Sequence, residues 1–122
     1  MNIRRVAPNI VTSDLEASRG FYTTVLGLDV AMDRELAGAH MITCVSPSNV
    51  TAQVSLIEGA GGQGGAVPTI TVEVADVDAI HARVEEAGLR IVYPLTTEPW
   101  GVRRFHVVDP NGVTINVMTH VS

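Results

Sequence analysis

Glu73 is the only carboxylate in a set of residues that share one phase of alternation on four short β-type runs of this 122-residue chain. A carboxylate on such a face can act as a general base or hold a cation. The same phase places Ala7 and Asn9 on one run, Gln53 and Ser55 on a second, Thr69 and Thr71 beside Glu73, and Thr114, Asn116 and Met118 on the last. These are amides, hydroxyls and a thioether, the groups that fix the orientation of a small ligand on an otherwise apolar wall. Trp100, the single tryptophan, can stack on a planar ligand, and Arg103 can anchor an anion or close a salt bridge. His106 is a second acid–base candidate. His40 lies on another strand-like run, and a metal site shared by these two histidines stays open as an alternative. His81 on a helix flank and His120 near the end of the sequence read as solvated.

Other chemistry is less well supported. There is no G-x-S-x-G nucleophile elbow, and Cys44, the single cysteine, reads as a small buried hydrophobe. The run Gly59-Ala60-Gly61-Gly62-Gln63-Gly64-Gly65 lacks the G-K-[ST] ending of a phosphate-binding loop and reads as a linker. A net charge of −5 argues against nucleic acid, whose phosphates call for clustered Lys and Arg. No apolar stretch approaches the length of a membrane span, and no signal peptide is evident, so a cytoplasmic protein without membrane contact is expected.

The elements that must hold these residues come in two similar sets. Val6–Val11 predicts a strand, followed by a helix opened by the capping-box spacing Ser13-Asp14-Leu15-Glu16 and closed at Gly27. Leu15, Tyr22, Val25 and Leu26 form its expected core stripe. Strands are predicted at about 28–33, 40–45 and 52–58. After the linker the pattern returns: a strand at 70–74, a helix capped by Asp76 with Val77, Ile80, Val84 and Ala87 inward, and strands at about 90–93, 102–108 and 113–118. Asp14 and Ala17 recur as Asp76 and Ala79, and Gly27-Leu28 recurs as Gly88-Leu89. Asp109-Pro110-Asn111-Gly112 predicts the turn between the last two strands. The apolar phase (Val6, Ile10, Val54, Leu56, Ile70, Val72, Val74, Val113, Ile115, Val117) is expected to face the helices. A half of this size cannot bury its sheet face alone, so the two halves must pack together or pair with halves of a second chain, and a homodimer is expected, with modules either exchanged or side by side.

The two βαβββ sets, the run Phe21-Tyr22-Thr23-Thr24-Val25-Leu26-Gly27-Leu28 after Asp14-Leu15-Glu16-Ala17, and Asp109-Pro110-Asn111-Gly112 near the end resemble the vicinal oxygen chelate superfamily of glyoxalases, extradiol dioxygenases and bleomycin-resistance proteins. Glu98-Pro99-Trp100-Gly101, followed by Arg103 and Phe105, looks most like the bleomycin-resistance branch. The resemblance implies an α+β fold in which two tandem βαβββ modules form curved mixed sheets around a cavity with helices outside. It implies one glyoxalase-like domain: module one at about 1–58, a linker at 59–67 and module two at about 68–122. In metal-dependent members the ligands, typically His and Glu, sit on the first and last strands of each module. Here those positions hold Ala7, Ser55, Thr69 and Asn116, so no metal and no cofactor is expected. The resulting expectation is a metal-independent protein that sequesters or carries a small organic ligand such as an antibiotic. The ligand would be held by Asn9, Gln53, Ser55, Thr69, Thr71, Glu73, Trp100, Arg103, Asn116 and Met118. The alternative is a divergent lyase, isomerase or transferase using Glu73 or His106 for acid–base chemistry.

Overall fold

The structure is a computed structural model that describes residues 2–36, 38–59 and 67–121, so residues 60–66 of the predicted glycine linker lie outside the described residues. The fold is α+β. Ala7–Val67 form one compact unit, and Met1–Val6 with Pro68–Ser122 form the other.

The first unit contains the second half of β1 (Ile3–Val11), then α1 (Leu15–Gly20), a π-helical turn (Phe21–Val25), β2 (Asp29–Leu36), β3 (Ala39–Ser46) and β4 (Asn49–Glu58). Its strands run in the order β2-β3-β4-β1, with β1 parallel to β4 and the other pairs antiparallel. Ile42, Cys44, Val54 and Leu56 point to α1 and pack with Leu15, and Ile10 and Tyr22 join this core. The helix begins differently from the capping-box expectation. Asp14, not Ser13, is the cap: its carboxylate accepts from Ala17 N–H at 3.0 Å, while Thr12 Oγ1 accepts from Asp14 N–H. After one and a half turns the chain widens, and Val25 and Leu26, expected inside, are 69% and 56% exposed. The π-helical turn rotates the apolar stripe away from the sheet, leaving Tyr22 as its inward residue.

The second unit contains the first residues of β1, then β5 (Ile70–Val74), α2 (Val77–Glu86), β6 (Ile91–Glu98), β7 (Val102–Val108) and β8 (Thr114–His120). The four later strands run in the order β5-β8-β7-β6, with β5 parallel to β8. Asp76 caps α2 by accepting from Ala79 N–H at 3.1 Å, so the pair of residues that revealed the repeat makes the same bond in both units. Val74, Val77, Val84, Phe105, Val107 and Val117 form the core under α2. Val6, expected in the core, is half-exposed. At the β7–β8 turn Asp109 Oδ1 accepts from Asn111 and Val113 N–H at 2.8 Å, and Gly112 takes φ +82°.

Candidate functional site

The face of the second unit's sheet turned away from α2 carries the polar residues. Since Phe105 and Val107 point to the helix, Arg104 and His106 point to the other side, and the same phase brings up Asn116 and Met118 from β8 and Thr71 and Glu73 from β5. Register aligns them in rows. Tyr93, His106, Asn116 and Thr71 stand opposite one another across β6, β7, β8 and β5, and Arg104, Met118 and Glu73 form the row beside them.

Within the first row the Tyr93 ring lies tilted over the His106 imidazole, with centroids 4.8 Å apart. Asn116 Nδ2 donates to Thr71 Oγ1 at 3.3 Å. His106 Nε2 and Asn116 Oδ1, both closed to solvent, have no hydrogen-bond partner. His106 is 6% exposed, and its pKa is pushed down to about 4, first by burial and then by the Arg104 charge, with Glu98 opposing. The imidazole is therefore neutral near pH 7.

Two ion-pair clusters flank the row. Arg104 Nε donates to Glu98 Oε2 at 2.7 Å, the Tyr93 hydroxyl donates to the same oxygen at 2.7 Å, and the guanidinium lies over the Tyr93 and Trp100 rings at 4.9 and 5.3 Å. Arg5 Nε donates to Glu73 Oε1 at 2.7 Å, His120 Nδ1 lies 3.1 Å from Glu73 Oε2, and Arg5 also contacts Met118 Sδ at 3.8 Å. Burial alone would raise the Glu73 pKa, but the bonds and charges of Arg5 and His120 outweigh it and lower it. Both acid–base candidates are thus weak bases.

The residues expected at a site divide between the units. His106, Asn116, Thr71, Glu73, Met118 and Trp100 meet on this face. Arg103 does not: it points to the helix side and holds Asp78 of α2 at 2.9 Å. Thr69 precedes β5 and is exposed, with its N–H bonded to Thr114 O at 2.9 Å. Asn9, Gln53 and Ser55 belong to the first unit. There Asn9 stands opposite Ser55, Gln53 Nε2 donates to Val50 O at 2.7 Å, and the Ser55 hydroxyl lies 3.2 Å from that of Thr43. His40 is engaged by Asp33 of β2, which raises its pKa. His81 is not simply solvated, because it packs edge-on against Phe105 at 4.9 Å, and His120 lies on β8 rather than in a tail. Arg5, Tyr93, Glu98 and Arg104 were not expected at the site. The phase of Phe105 was the available signal for Arg104.

The matching family model is the Glyoxalase/Bleomycin resistance protein/Dioxygenase superfamily, over residues 3–117. The chain belongs to that superfamily. No curated protein matches it. Among solved structures, the methylmalonyl-CoA epimerase of Mycobacterium tuberculosis is similar with TM-score 0.81 and 19% identity, over 98% of this chain and 90% of that one. A Streptomyces coelicolor methylmalonyl-CoA epimerase in complex with 2-nitronate-propionyl-CoA gives 0.76 and 22%, over 99% and 100%. A superfamily member from Vibrio splendidus 12B01 gives 0.71 and 23%, over 97% and 99%. At these identities the likeness establishes the fold.

Metal-dependent members of the glyoxalase superfamily are expected to carry His and Glu at positions that here hold Ala7, Ser55, Thr69 and Asn116. A methyl group, two hydroxyls and a carboxamide do not fit a divalent cation, and the Ser55 and Asn116 side chains are already bonded to Thr43 and Thr71. Among the described residues no three of His, Cys, Asp and Glu cluster as a metal site would require.

Proposed function

We propose that this glyoxalase-superfamily protein binds a small organic molecule without a metal, sequestering or carrying it as a drug-binding protein of the bleomycin-resistance type would. The observation that carries this reading is the row Tyr93–His106–Asn116–Thr71, with two buried polar atoms that have no partner beside a wall of Tyr93, Trp100 and Arg104. Leaving a buried acceptor unanswered costs about 1–3 kcal/mol, which a ligand recovers on binding. Turnover through Glu73 or His106 is less well supported, since both are held in their weakly basic forms. The epimerase activity of the structural neighbours is not carried over, because the donor set here differs from a metal site and identity is low. We infer further that it works in the cytoplasm as a homodimer with no nucleic-acid or membrane partner. Among the described residues no helix is long and apolar enough to cross a bilayer.

Native mass spectrometry of the protein as purified tests this directly. The expected spectrum is a dimer carrying an organic adduct or accepting added small molecules, with no bound metal. About one metal per chain surviving dialysis would overturn the reading.

A further inference from the structure

Resting on that reading, we propose that His106 Nε2 and Asn116 Oδ1 recognise an N–H donating group, such as a carboxamide or ring amino group of an uncharged ligand, and select against carboxylates and phosphates.

The direction of the Asn116 amide carries the first half of the inference. Its Nδ2 is committed to Thr71 Oγ1, so the atom left over is the carbonyl oxygen, which only accepts. His106 stands directly opposite Asn116 across the β7–β8 pair. These two leave Nε2 and Oδ1 both without partners. In the tautomer protonated on Nδ1, a neutral imidazole presents Nε2 as a second acceptor on the same face as the Asn116 carbonyl oxygen. A single NH2 group has two hydrogens to offer such a pair.

The surrounding charge supplies the second half. Both guanidinium groups on this face are matched by carboxylates, Arg5 by Glu73 and Arg104 by Glu98, at 2.7 Å in each case. An anionic ligand would bring negative charge against two acceptor atoms and two paired carboxylates. An uncharged donor meets no such opposition. Both atoms are closed to solvent, and the ring that lies over the imidazole is that of Tyr93.

The test compares three probes that share one ring: nicotinamide, methyl nicotinate and nicotinate, titrated through the millimolar range. Binding is read from the side-chain amide signals and from the indole signal of Trp100, the only tryptophan, in 1H–15N spectra. Nicotinamide is expected to bind at least about tenfold more tightly than the ester or the acid, because only the amide fills both acceptors. Asn116→Leu should reduce that ratio to near one, with Asn116→Ser as the gentler variant should the leucine form not fold. Equal binding of amide and ester, tighter binding of the acid, or a ratio that survives both substitutions would overturn the donor selectivity while leaving the binding function standing. Absence of binding by all three would overturn both.

Discussion

In the first unit the sheet face turned from α1 is lined by Ala7, Thr43 and Ser55, all buried, with the two hydroxyls 3.2 Å apart. In the second unit the equivalent face carries Arg104, Glu98, Tyr93, His106, Asn116 and Glu73. Both are products of the same βαβββ repeat, with the same capping bond at Asp14 and Asp76. The first face buries small groups that satisfy each other. The second buries charge in pairs and leaves two polar atoms unanswered. One architecture, used twice, thus disposes its polar groups differently on the equivalent face of each unit.

The contrast breaks most visibly at Glu98, which is 8% exposed and shared by Arg104 and Tyr93. Glu98→Ala removes the carboxylate from both, and should cost about 3–5 kcal/mol in urea unfolding. A loss below about 1 kcal/mol would mean the cluster is effectively solvated, and the two faces would then differ less than their composition indicates.

The next effect is pH. The folded His106 pKa of about 4 lies below its ordinary 6.5, so the unfolded chain takes up the proton first as pH falls. The contribution is fully present above about pH 6.5 and is lost as pH falls towards 4, a change of about 3 kcal/mol. His106→Phe should flatten stability across that window. His40 of the first unit has the opposite sign, because its raised pKa favours the folded state at low pH and that help fades as pH rises. An unaltered slope in His106→Phe would show that the imidazole is not desolvated.

The smallest effect sharpens the first face. Ser55→Ala breaks the hydroxyl pair with Thr43 and should cost about 0.5–1.5 kcal/mol in stability, with nicotinamide binding unchanged. A tenfold loss of binding would assign recognition to both units.

Most of the fold was legible because its signals are local. The Asp109–Gly112 turn, the Asp76 cap and the bounds of β5 and β7 follow from short-range chemistry, whereas the first helix is capped one residue later than the capping box at Ser13 indicated. Half of the candidate site's face was legible too: that Asn116, Thr71, Glu73 and Met118 share one face follows from alternation alone. The missing half has two causes. The expected strand at about 90–93 stops short, but β6 runs on through Pro94 because it is an edge strand with a register shift between Tyr93 and Thr96, which tolerates a residue without an N–H, so Glu98 stays in the ladder. β1 starts at Ile3 rather than Val6, which brings Arg5 to the site. Arg103 and Arg104 were separable in principle. Adjacent residues on a strand face opposite ways, and the phase of Phe105, which is fully buried under α2, assigns Arg103 to the helix side.

The division of β1 has a consequence for synthesis on the ribosome. Ala7–Val67 is one continuous segment, so every strand of the first unit is present once Val67 has been added. The second unit includes the residues before Ala7 and resumes only at Pro68, and Arg5 meets Glu73 across 68 positions and Met118 across 113. The earliest arginine of the site is therefore translated long before its partners Glu73 and Met118. It waits through the whole of the other unit for its carboxylate, and a long loop must close before the pair forms.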